Sequence, residues 1–361
     1  MVTYIDDNIA CSPVIIEADI RRIAEEFDLV ISLVDINELK YNPKKFSDLG
    51  IEYINEPVEE FSAPNILRLF KLAYRMYNKA LSGGKVLVHC SGGYSRSCTL
   101  AAAYLILKDY SVGDALKKIS EKTRGTLAIS AAQLRSLKLL VKLVNLLGID
   151  GVASIVQFAE RFRYGWGEEH SSLVTEYSLE LSNYLKKPLG LDTLTEQVLA
   201  ASSIVHDVGA AYDPKEHHVK SFELVSNSLE IYSVLGHETR EAIAWAVYHH
   251  RRKVWNPLIN NKIPLWCRSV VARATAILQI ADALATITSE RIREVEVIMD
   301  ADSSSLILHL KWDGSATSEI VDFAERIIKE KAVLLAFMLG INEKKIALIH
   351  DVFTNAIITS P

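Results

Sequence analysis

Up to about residue 147, short runs of aliphatic and β-branched residues alternate with segments whose apolar positions recur every three or four residues. DLVISLVDI (28–36), IEYINEP (51–57) and KVLVHC (85–90) read as strands, and NILRLFKLAYRMYNKALS (65–82) as an amphipathic helix. This alternation predicts an α/β domain built on a mainly parallel sheet. A Gly and Asp break near 148–151 then marks a boundary, giving a first domain over 1–148. From 152 to 295 the pattern is nearly all helical, as in SSLVTEYSLELSNYL, TEQVLAASSIV, REAIAWAVYHH and SVVARATAILQIADALATI. The remainder, 296–361, reads as a small α+β subdomain: EVEVIMD and SLILHLKWDG as strands joined by a polar turn, then a helix over EIVDFAERIIKEKAVLLAFML.

At 361 residues and 49% hydrophobic content the chain can bury more than one core. A net charge of −5 gives no general electrostatic pull toward nucleic acid or an anionic membrane, so any phosphate chemistry must be local. The first residues, MVTYIDDNIACSP, place Asp6 and Asp7 where a signal peptide is basic, and no apolar run reaches bilayer length without a charge. The expected location is therefore the cytoplasm, without membrane or nucleic-acid partners. Four scattered cysteines, Cys11, Cys90, Cys98 and Cys267, lack C-x-x-C spacing and argue against a disulfide framework or a cysteine zinc site.

The segment HCSGGYSRS, residues 89–97, lies between an apolar strand and the apolar helix TLAAAYLILKDY. A turn whose N–H groups converge before a helix N-terminus is an anion site. Ser91, Gly92, Gly93, Tyr94, Ser95 and Arg96 supply that cradle, the glycines letting it curl and Arg96 adding a planar fork for two phosphate oxygens. Cys90 sits in the same field of N–H dipoles, which favours its thiolate, the nucleophilic form. Cys98, inside the helix, reads as packing.

These residues resemble the cysteine-dependent protein phosphatases, marked by His-Cys-x5-Arg-Ser/Thr, and especially the dual-specificity and archaeal tyrosine phosphatases; His89, Cys90, Arg96 and Ser97 carry the match. The resemblance implies in-line attack by Cys90 on a phosphomonoester, substrate and transition-state binding by Arg96, and stabilisation of the leaving thiolate by Ser97, with no cofactor. It also implies an aspartate acid in a Pro-x-x-Asp-Phe-x-x-Pro loop. Here the loop is PVEEFSAP, with Glu60 at that place and Glu59 as the alternative acid. Gln133 lies where the family often positions the hydrolytic water. Tyr94 in the cradle, and no basic cluster around the motif, favour phosphotyrosine-like or small phosphorylated substrates, protein or otherwise, over a polyanionic lipid head group.

Nine of the ten histidines follow residue 150. His170, the doublet His206-Asp207, His217, His249 and Asp282 on separate helical segments suit a divalent ion held among helices. Their order is similar to the HD phosphohydrolases, and closest to the helical C-terminal region of the exopolyphosphatase and guanosine pentaphosphatase family. That resemblance implies one metal (Mn, Mg, Ni, Fe or Zn) on His170, His206, Asp207 and Asp282, with His217 and His249 toward a second. Lys220 departs from it, standing where a further histidine is common, and the actin-like domains of that family are absent. The expected function is a phosphatase fused to an HD domain that acts as a second phosphohydrolase or as a sensor. The alternative is a slow or inactive phosphatase that recognises phosphorylated partners.

Overall fold

The computed structural model describes residues 2–251, 257–287, 292–300, 305–312, 314, 317–352 and 357–359. They form two compact units, Met1–Val141 with Asn355–Pro361, and Lys142–Thr354. The division falls inside a helix instead of at the Gly148–Gly151 break. Gly148, at φ +74°, turns the chain from the helix that this division cuts into the next helix.

In the first unit, strands β1 (Thr3–Tyr4), β2 (Ile9–Ser12), β3 (Leu29–Ser32), β4 (Glu52–Asn55) and β5 (Val86–His89) form a sheet of order β1-β2-β5-β3-β4. All neighbours are parallel except β1 and β2, so the sheet is mixed: mainly parallel, as the sequence suggests, with an antiparallel edge. β5 is fully buried between β2 and β3, which is why it reads as an unbroken apolar run. Around the sheet run α1 (Ile20–Glu26), α2 (Lys44–Asp48), α3 (Ile66–Leu81), α4 (Arg96–Leu107) and α5 (Val112–Lys122). Every residue of α4 is buried, in keeping with a helix apolar on all sides. α3 starts at an Asn65 cap accepting from the Arg68 N–H, and α5 at Ser111 accepting from Asp114. The short strand β6 (Ala128–Ser130) leads into α6 (Ala131–Leu147).

The second unit contains α7 (Ile149–Arg161), α8 (Glu168–Leu189), α9 (Thr193–Val205), α10 (His217–Ser226), α11 (Leu229–His249) and α12 (Arg268–Ile287). α12 is long and apolar enough to cross a bilayer, yet it is mostly buried as the central helix on which α8, α9 and α11 pack. The tail continues with β7 (Ile292–Asp300), β8 (Ser305–Trp312), α13 (Ser318–Lys331), α14 (Val333–Leu339), β9 (Ile346–Val352) and, in the first unit, β10 (Ile357–Thr359), which pairs with β6. β7 and β8 are antiparallel, as the sequence suggests, and β9 adds parallel to β8; the expected polar turn between β7 and β8 lies outside the described residues. Leu306, Leu308, Leu310 and Trp312 alternate inward along β8. Because β7 packs on α8 and α13 on α12, this α+β segment belongs to the second unit's core, and its first strand begins before residue 296.

Candidate functional site

β5 ends at His89 and α4 begins at Arg96, so the intervening residues must turn sharply at the buried end of the sheet. Two backbone bonds tie the turn to the end of β2: the Cys90 N–H donates to the Ser12 carbonyl (3.3 Å) and the Val14 N–H to Ser91 (3.1 Å). Gly93 has φ +79°, and a Cβ there would lie 2.6 Å from the Pro13 nitrogen and 2.8 Å from the Ser12 carbonyl carbon. A side chain at 93 would push the loop off β2. At Gly92 the conflict is only with the movable Tyr94 ring.

Around the thiol, the Gly93 N–H donates to Cys90 Sγ at 3.2 Å, and Ser97 Oγ lies 3.4 Å from the same sulfur. Cys90 is 2% exposed. Cys98 packs beneath the loop with its thiol toward the Gly93 carbonyl. His89 reaches the other way: its Nε2 is 2.7 Å from Tyr41 Oη, which is 3.0 Å from Tyr53 Oη. Burial, aided by the Arg96 charge, pulls His89 down to about 4, so it is neutral near pH 7 and its role is to hold the strand end.

Arg96 is buried, and its Nη1 donates to the carbonyls of Leu33 (3.3 Å) and Val58 (2.8 Å). Val58 precedes Glu59 and Glu60, both exposed on the loop, so the guanidinium anchors the segment that carries the candidate acids. Gln133 anchors the other end. Fully buried, not on the surface, its Oε1 accepts from the Ser130 N–H (3.0 Å), its Nε2 donates to the Ser62 carbonyl (2.9 Å), and its amide lies 3.0–3.1 Å from Ser95 Oγ. Ser95 therefore spends its hydroxyl on Gln133, leaving the cradle its backbone. Tyr41, Tyr53, Ser62 and Ser130 are site residues that the sequence reading did not contain. Beside the cradle, Lys122 and Arg124 line a groove with Gly92, Gly93 and Tyr94.

In the second unit, α8 brings His170, the end of α9 brings His206 and Asp207, and α12 brings Asp282. His170 Nε2 lies 3.3 Å from His206 Nε2, 3.3 Å from Asp207 Oδ2 and 3.4 Å from Asp282 Oδ1. A second set forms on the other oxygen of the same carboxylate: Asp207 Oδ1 is 3.1 Å from His217 Nε2 and 3.2 Å from His250 Nε2. His250, and not the expected His249, completes it. Successive helical residues point about 100° apart; His249 is turned away and lies 3.2 Å from Asn260 Nδ2. Lys220 also points elsewhere, pairing with Glu223 on the surface. Gly209 lets α10 approach this corner, since a Cβ would lie 2.3 Å from the His217 carbonyl oxygen.

The donor set fits a divalent cation. The Nδ1 atoms of His206, His217 and His250 face the carbonyls of Ser203, Pro214 and Val247, which can only accept, so each Nδ1 holds the proton. The Nε2 lone pairs of His217 and His250 then meet at 3.2 Å beside a carboxylate, a repulsion that a cation or an extra proton must relieve. Burial pulls His170 down, but Asp207 and Asp282 outweigh it and lift it to about 9. Burial pushes Asp207 up, but His206, His170 and His217 hold it well below the usual carboxylate range. The cluster gathers positive charge, and its ligand atoms lie within 4.8 Å of one another in each set.

Residues 19–141 match the family described as Dual specificity phosphatase, catalytic domain. Among curated relatives, Dual specificity protein phosphatase 26 of Mus musculus is 36% identical over 88 residues, 24% of this chain and 42% of that protein. Tyrosine-protein phosphatase yvh1 of Schizosaccharomyces pombe is 40% identical over 138 residues, 30% of this chain and 42% of that one. The chain thus spans less than half the length of these relatives. Among solved structures, Tk-PTP in its active form is 30% identical, covering 39% of this chain and 96% of that one at a TM-score of 0.37. PTPMT1 in complex with PI(5)P is 26% identical, covering 40% and 96% at 0.38. The first unit carries a catalytic domain of the dual-specificity and tyrosine phosphatase type.

Proposed function

We propose that the first unit hydrolyses phosphomonoesters through a phosphorylated Cys90, and that the second is an HD-type metal-dependent phosphohydrolase. The observation that carries the first part is the setting of Cys90 Sγ, with the Gly93 N–H and Ser97 Oγ both directed at it. Sγ attacks phosphorus as the ester P–O bond breaks, and Glu60 gives its proton to the leaving oxygen. Arg96 and the loop N–H groups hold the equatorial oxygens. Water then attacks phosphorus, its proton passes to Glu60, the S–P bond breaks, and Ser97 Oγ supports the departing thiolate. Gln133, bonded to both Ser95 and Ser62, keeps cradle and acid loop in register. The substrates are phosphotyrosine-like or small phosphomonoesters, as Tyr94 in the cradle favours.

In the second unit His170, His206, Asp207 and Asp282 would hold one ion, and Asp207, His217 and His250 another. Such ions supply charge neutralisation and a more acidic bound water. The residues fix this geometry: the Ser203, Pro214 and Val247 carbonyls set the imidazole tautomers, and Asp207 offers one oxygen to each set.

The test is turnover of an aryl phosphate in a chelator, beside hydrolysis of nucleotides and polyphosphate with manganese. Cys90→Ser should abolish only the first and Asp207→Ala only the second. A natural chain that binds aryl phosphate without turning it over would favour the phospho-ligand module instead. Bound metal without hydrolysis would make the second unit a sensor.

A further inference from the structure

The last residue of α13, Lys331, reaches back to Asp282 on α12, 49 positions earlier in the chain. Its Nζ donates to Asp282 Oδ2 at 3.2 Å and points to the His250 carbonyl at 3.4 Å. The other carboxylate oxygen, Oδ1, faces the cluster, 3.4 Å from His170 Nε2 and 3.9 Å from His206 Nε2.

We infer that Lys331 is a positioning residue for the metal cluster, holding Asp282 so that it offers the ion one oxygen and not two. This rests on the metal reading given above. A carboxylate beside a divalent ion can bind through either oxygen or both, and groups behind the ligands choose among these modes. An ammonium on Oδ2 occupies one oxygen and turns the other inward. The same Nζ touches the main chain of His250, so one side chain braces a residue from each set. Lys331 lies in the segment after β8, so through this side chain the α+β tail reaches the cluster.

The competing role is simple neutralisation of a buried Asp282. The two roles give opposite signs. If Lys331 only neutralised Asp282, its charge would compete with the metal, and removing it would tighten metal binding. If it positions Asp282, removal loosens binding and alters coordination.

The experiment uses the full chain, with manganese titrated by calorimetry and cobalt(II) followed by visible absorption. Lys331→Met should weaken metal binding at least about tenfold, the effect typical of losing a partner behind a ligand. Its cobalt spectrum should shift toward a weaker, higher-coordinate band as Asp282 gains a second oxygen. Lys331→Arg should recover most of the affinity. Should Lys331→Met fold poorly in the metal-free state, Lys331→Gln, which still donates to Oδ2 without a charge, should bind with intermediate affinity. Equal or tighter binding by the uncharged variants, with an unchanged spectrum, overturns the inference and leaves the metal reading intact. A natural chain that binds neither ion overturns both.

Discussion

Arg96 Nη1 donates to the main-chain carbonyl of Val58 at 2.8 Å, so the guanidinium proposed to bind phosphate also grips the loop carrying Glu59 and Glu60. A lysine provides a point charge but no fork that can hold this carbonyl and still face a phosphoryl group. Arg96→Lys should therefore lower kcat/KM for an aryl phosphate by about a hundredfold or more, the scale of losing a transition-state donor. Both kcat and KM should worsen, because cradle and loop loosen together. A loss under about tenfold would separate the two roles.

Glu60 is exposed on that loop, one methylene longer than the aspartate expected there. Glu60→Gln should slow esters with poor leaving groups far more than activated aryl esters, because only the former need a delivered proton. Rates across a leaving-group series measure this. Equal losses throughout would move the acid role to Glu59.

His89 gives the first unit a specific acid sensitivity. Burial holds it at about 4, against 6.5 for an exposed imidazole. Between those values the unfolded chain binds the extra proton and the folded chain does not. Stability present above pH 6.5 is therefore lost as the pH falls toward 4, by on the order of 3 kcal/mol from this group. Hydrogen exchange of the β5 and α4 segment should show protection dropping over this window, with a smaller drop in His89→Asn. An identical pH dependence in that variant would assign the loss to other groups.

The seven-residue frame from Cys90 to Arg96 was legible because its chemistry is local: strand, turn and helix follow one another, and Gly93 has its own backbone reason. What holds the frame was not legible. Tyr41, Val58 and Ser62 come from segments that only the fold brings to His89, Arg96 and Gln133, whereas Ser130 lies three residues before Gln133 and pairs with it locally. The domain break was misplaced because Gly148 signals a turn equally well at a helix corner or a domain boundary. The proposed metal ligands were visible as residue types, but His249 and His250 were not separable. Both have apolar residues three and four positions earlier, and only the placement of Asn260 and His217 tells them apart. Lys331 gave no signal at all, since its partner lies on another helix.

That assignment can be checked directly. His250→Ala should lower bound manganese from about two ions per chain to about one, as expected for a two-metal site that loses one ligand set. His249→Ala should keep its metal and lose only packing stability near Asn260. Elemental analysis after gel filtration gives both numbers. Loss of metal in His249→Ala alone would restore the original assignment.

The most direct measurement is of the covalent step. The full chain, quenched with denaturant while turning over an aryl phosphate in the presence of a chelator, should yield a peptide from residues 86–107 that carries phosphate on Cys90, read by mass spectrometry. The same peptide from Cys90→Ser should be unmodified, and that variant should show no turnover. Turnover at the natural rate in Cys90→Ser, or full activity with no phosphate ever found on Cys90, would contradict cysteine-based phosphoryl transfer.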